Sequence, residues 1–166
     1  MNIKGLLFVC ALLSAAVFSC KKDSNEVKAS MGAKIYTVNL ENDTINWSAV
    51  TRVTVLKNEI FTITGTSLNA DLSNDVLAIT VNGVKPETYT LNPDPLNFSA
   101  QCGCAYTTKF NGASVVFLGT SGNVVITKVD TGNKLISGTF EFSVLSGNVT
   151  KTITKGTFEN LKYVVK

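Results

Sequence analysis

The sequence predicts an all-β fold: an antiparallel β-sandwich or flattened β-barrel of about ten short strands. Three observations predict it. Apolar and polar residues alternate in segment after segment, the period of a half-buried strand. Gly, Asn and Pro punctuate those segments at hairpin spacing. No helical run of ten residues stands out after the first thirty positions. A chain of 166 residues suffices for one domain with a substantial core and is short for two.

The first thirty residues read as an address rather than as fold. Lys4 supplies a positive start, and Gly5 to Phe18 form an apolar run. As a helix this run would rise about 21 Å, short of the ~30 Å hydrocarbon core, so residues 1–19 read as a signal peptide. The run ends in Val17-Phe18-Ser19-Cys20, which resembles a bacterial lipobox. That resemblance implies lipid on the Cys20 sulfur and cleavage before it. Two or three acyl chains, at ~0.8 kcal/mol per buried methylene, hold a membrane where one does so only marginally. The plainer alternative is a secretory signal that leaves Cys20 as a thiol. Lys21 to Ser30 are charged and non-periodic, so residues 20–32 read as a lipidated Cys and flexible tether. Residues 33–166 then form a single antiparallel β domain. The expected membrane contact is this lipid.

Within the domain the clearest strand is Ile136 to Val144. Ile136, Gly138, Phe140, Phe142 and Val144 share one face, and Ser137, Thr139, Glu141 and Ser143 the other. Further strands are expected at 34–40, 51–57, 59–65, 76–81, 88–91, 105–110, 114–118, 123–129, 150–155 and 158–165. Asn82-Gly83 and Asn111-Gly112 suit type I′ hairpins, and Gly122-Asn123, Gly132-Asn133 and Gly147-Asn148 read as further breaks. Pro86 and Asn92-Pro93-Asp94-Pro95 stop pairing. The segments beginning at Ile136 and Ile153 both contain Gly-Thr-Phe-Glu. Two neighbouring strands account for them, the glycines allowing a bend or bulge and the Phe side chains filling the core.

Several blocks now carry a resemblance. Lys21-Lys22-Asp23 follows the lipobox, and Trp47-Ser48-Ala49 follows an early strand. Then come Glu87-Thr88-Tyr89-Thr90-Leu91, Val124-Val125-Ile126-Thr127 and Ile136-Ser137-Gly138-Thr139-Phe140. Their order is similar to an uncharacterised family of Bacteroidota lipoproteins with "GTY-L", "V-IT" and "SGTF-F" blocks. Glu87 stands here where the usual Gly precedes Thr-Tyr. The resemblance implies a lipid-anchored β protein; it brings no activity and no site residues. Lys21 rather than Asp after Cys20 further resembles outer-membrane sorting, on the periplasmic face or the cell surface.

The chemistry carried by the domain is sparse. There is no His, which removes the commonest general base and metal ligand, and a net charge of +3 is too weak for nucleic acid. No cofactor motif, phosphate loop, serine elbow or zinc ligand set occurs. Cys102-Gly103-Cys104 suits a local disulfide, with a redox pair or soft-metal pair as alternatives. Asn69 to Asp75 alternates oxygen-bearing side chains as a calcium loop would, although a polar loop explains the same residues. Asp43-Thr44-Ile45 resembles an O-glycosylation site in this phylum, placed on a polar turn. Trp47, Tyr36, Tyr89, Phe98 and Tyr106 could offer flat faces to a ligand, with Tyr106 and Phe98 the best placed for exposure and core packing as the alternative. The expectation is a lipid-anchored, non-catalytic envelope module whose partner is a glycan or an envelope protein. A small barrel carrying an apolar ligand is the alternative, and a hydrolase ranks below it.

Overall fold

A computed structural model describes residues 28–37, 40–46, 51–68, 74–91, 101–110 and 113–166. These residues form ten strands and no helix. They are β1 (Ser30–Thr37), β2 (Leu40–Asn46), β3 (Thr51–Lys57), β4 (Ile60–Leu68) and β5 (Asn74–Asn82). After them come β6 (Thr88–Thr90), β7 (Cys102–Phe110), β8 (Ala113–Asp130), β9 (Leu135–Ser146) and β10 (Val149–Val165).

Pairing runs β3-β4-β5-β7-β8-β9-β10 and returns to β3, so the sheet closes on itself. Of the two expected architectures, this closed circuit is the flattened barrel. Six of its joints are antiparallel. The seventh is parallel, with Tyr163, Val164 and Val165 beside Thr54, Val55 and Leu56. β1 pairs with the first half of β10 and carries β2 on its far side, while β6 pairs with the second half of β8.

β8 and β10 each pair with three strands, and both are bulged. Their registers shift at Gly119/Ser121 and Ile126/Lys128 on β8, and at Ile153/Gly156 and Phe158/Leu161 on β10. One inserted residue flips the alternation. On β10, Lys155 and Asn160 absorb the shift at φ 51° each, so Ile153, Phe158, Leu161 and Tyr163 all stay inside. Asn160 N–H donates to Ser137 Oγ at 2.9 Å.

The two Gly-Thr-Phe segments face each other across the β9–β10 joint. Gly138 pairs with Phe158, Thr139 with Thr157, and Phe140 with Gly156. Each ring therefore lies over a residue with no side chain. A Cβ on Gly138 would sit 2.5 Å from Phe158 Cζ, and one on Gly156 would strike the Phe140 ring. The rings stack with centroids 6.4 Å apart and planes 20° from parallel. Gly122 likewise lies opposite Phe142. Around these pairs, Met31, Phe61, Ile63, Leu77, Ile79, Phe117, Ile126, Ile136 and Ile153 are almost wholly buried, and side chains fill the barrel interior.

Several expected boundaries move. The segments 114–118 and 123–129 are one strand, as are 150–155 and 158–165, because bulges carry the pairing through Gly122 and Gly156. β1 starts at Ser30, inside the expected tether, and buries Met31 beside Phe158. Asp43-Thr44-Ile45 lies within β2 rather than on a turn, Thr44 pairing with Lys34. Asn82-Gly83 makes no hairpin: β5 pairs with β4 and β7, and Gly83 leaves room for the Tyr89 ring. An unanticipated tight turn joins β3 to β4 at Asn58 and Glu59, whose φ values of 51° and 63° fit type I′.

Candidate functional site

β9 alternates without interruption, so Ser137, Thr139, Glu141 and Ser143 point outward beside the outward residues of β8 and β10. Ser121, Ser143 and Thr152 are register partners across β8, β9 and β10, and Tyr36 on β1 continues the row. With strands ~4.8 Å apart, the row spans roughly 14 Å. Beside it run Asn123 and Glu141, which are partners, and then Thr154 with its partner Lys34. Between Ser121 and Glu141 the outer surface is formed by the backbone of Gly122. The result is a shallow groove of about 180 Å³, lined by Ser121, Glu141, Ser143, Thr152 and Thr154 over a floor that includes Gly122.

The polar groups are held in place. Asn123 Nδ2 donates to Glu141 Oε1 at 3.1 Å, and Thr120 Oγ1 donates to the Ser143 carbonyl at 3.1 Å. Above Ser143 on the same face, Leu145 is 40% exposed and pairs with Leu118, 62% exposed. The groove is thus a hydroxyl-rich floor with an apolar rim. It offers hydrogen-bond donors and acceptors, one carboxylate and, at the β1 side, one ammonium.

The aromatic residues expected to face a ligand divide differently. Tyr36 is partly exposed on the outer face of β1. Tyr106, expected to be exposed, is buried: it points inward from β7, and its hydroxyl donates to Asp75 Oδ1 at 2.6 Å. Tyr89 is buried too, its hydroxyl donating to the Lys85 carbonyl at 2.9 Å and accepting from Lys85 N–H. Burial raises the Tyr89 pKa, although the Lys85 backbone bond works against this. Trp47, Phe98 and Cys20 lie outside the described residues. So does most of the candidate calcium loop; its last member, Asp75, is the buried partner of Tyr106.

Cys102 and Cys104 are free thiols in the structure, both buried on the inner face of β7. They stand two positions apart on an extended strand, which sets their Cα atoms ~6.6 Å apart, at the long end of the range that a bridge spans. Burial pushes the Cys102 thiol up to about 11 and, with Cys102 beside it, Cys104 up to about 12. Cys102 Sγ donates to the Tyr89 carbonyl at 3.1 Å. Among the described residues no three His, Cys, Asp or Glu side chains gather as a metal site would need.

Ser121, Thr152 and Thr154 carried no motif. Thr152 and Thr154 flank the apolar Ile153, a weak strand signal, and Ser121, between Thr120 and Gly122, has no such pattern.

No curated protein and no solved structure matches this chain. A family profile does match, over residues 36–162, from Tyr36 on β1 nearly to the end of β10. The chain therefore belongs to the family described as Domain of unknown function (DUF6252).

Proposed function

We propose that this protein is a lipid-anchored cell-envelope module that binds a polar partner, without transforming it, through the groove on the outer face of β8, β9 and β10. The groove carries the binding half of this reading. Its hydroxyls and hydrogen-bonded carboxylate are groups that hold a ligand in orientation. The lipobox-like Val17-Phe18-Ser19-Cys20 carries the anchoring half, and Lys21 rather than Asp after Cys20 supports the outer membrane as the location. The carrier alternative needs an empty lumen. Phe61, Phe117, Phe142 and Phe158 occupy that interior here.

Two measurements test the two halves. Mass spectrometry of the protein taken from the membrane fraction should find a mature chain that begins at an acylated Cys20; a mature terminus without lipid refutes the lipid anchor. Thr152→Arg, which fills the groove from an outward position, should abolish capture of envelope extract components that the unaltered protein retains. Equal capture by both refutes the groove as the binding face.

A further inference from the structure

We infer that the groove takes a neutral oligosaccharide, with Tyr36 as its stacking platform; this rests on the groove being the binding face. Three observations converge. The floor is a cross-strand row of Ser121, Ser143 and Thr152, and hydroxyls at strand spacing match a ligand that presents hydroxyls at regular intervals. Tyr36 stands one strand beyond Thr152, and Leu145 lies two residues from Ser143 on the same face. A sugar ring has polar edges and an apolar C–H face. It matches a floor of hydroxyls flanked by one aromatic and one aliphatic surface.

Charge decides against the polyelectrolyte alternatives. Glu141 on β9 stands among Lys34 on β1 and the exposed Lys155 on β10, so the groove and its β1 side carry isolated charges of both signs and no run of one sign. A polyanion would meet Glu141, and a polycation would meet Lys34, without a matching cluster in either case. The span of roughly 14 Å from Ser121 to Tyr36 accommodates more than one ring, so affinity should rise from mono- to oligosaccharide.

The test is calorimetric titration of the purified full chain with maltotetraose, mannotetraose, xylotetraose and cellotetraose. The charged comparison is a galacturonate tetramer. The expected result is binding of at least one neutral tetramer, Kd about 0.1–1 mM. Tyr36→Ala should weaken that binding about tenfold and Tyr36→Phe should leave it intact, since the ring and not the hydroxyl is the platform. If the galacturonate tetramer binds, Thr152→Arg alters its binding, and no neutral tetramer binds, the glycan is not neutral: this inference fails while the groove stands. If a neutral tetramer binds equally well to Tyr36→Ala or to Thr152→Arg, the platform or the groove itself is refuted. If none of the five binds, the oligosaccharide assignment is overturned.

Discussion

Gly138→Ala isolates the packing device at the centre of the barrel. The added methyl would sit 2.5 Å from Phe158 Cζ and closer still to the Val125 carbonyl oxygen. The ring can swing away, but the carbonyl belongs to β8 and is fixed by its pairing with β9. Overpacking of a full core costs about 1–3 kcal/mol, and the backbone contact places this variant in the upper half, about 2–3 kcal/mol. For a domain of this size each kcal/mol moves the midpoint about 4 °C, so Tm should fall by about 8–12 °C. Circular dichroism followed through thermal and urea unfolding reads both numbers. Gly132→Ala is the control: its Cβ meets nothing nearer than Asp130 Oδ1 at 3.5 Å, and it should change stability by less than about 0.5 kcal/mol. Adding Phe158→Leu to Gly138→Ala should recover little, because it frees the ring position and not the carbonyl. A Gly138→Ala protein as stable as the Gly132→Ala control would refute the reasoning.

Other outcomes follow from single contacts. Tyr106→Phe removes the 2.6 Å donation to buried Asp75 and should cost about 1–3 kcal/mol, read as a lower urea midpoint. The thiols of Cys102 and Cys104 titrate higher in the folded chain than their ordinary value, so the folded state keeps protons that the unfolded state loses. Their contribution is therefore whole below about pH 9 and is lost as pH rises toward 11 and 12; urea midpoints measured from pH 8 to 11 should fall, and should fall less in Cys102→Ala/Cys104→Ala. Iodoacetamide at pH 8 should label these two thiols only after unfolding, and rapid native labelling would contradict their burial. Glu59→Gly, at φ 63° in the β3–β4 turn, should stabilise by about 0.5 kcal/mol, since glycine accepts that conformation without steric cost. An unchanged or lower midpoint would count against the type I′ assignment.

What the sequence displayed was the period and the punctuation. The inward set Ile136, Gly138, Phe140, Phe142 and Val144 is the buried face of β9, and 51–57 is β3 as expected. The paired Gly-Thr-Phe segments are neighbouring strands with Phe in the core, and their reciprocal register supplies a physical reason for the likeness. What the sequence concealed was bulging. Gly122 and Gly156 carry the ordinary signature of a strand end, yet each lies inside a continuous strand because an aromatic ring from β9 covers it. Tyr106 lies in the expected strand 105–110, but its inward direction follows from the register of β7 against β5, where it pairs with buried Leu77, and no local pattern displays that pairing. The groove was equally hidden. Its floor depends on which serine of β8 stands beside which serine of β9, and a bulge at Gly119/Ser121 decides that.

The parallel contact of Tyr163, Val164 and Val165 with β3 has a consequence for how the molecule is made. It joins positions more than a hundred residues apart, so the circuit stays open until residues 163–165 have emerged. Lys166 N–H donating to the Leu56 carbonyl at 3.0 Å is the last stitch. Such distant pairing favours folding in milliseconds to seconds rather than microseconds. Removing residues 163–166 would strip β3 of its parallel partner and leave it a raw edge, able to recruit a strand from another molecule. A chain that ends at Lys162 would keep most of its core and still lack a clasp.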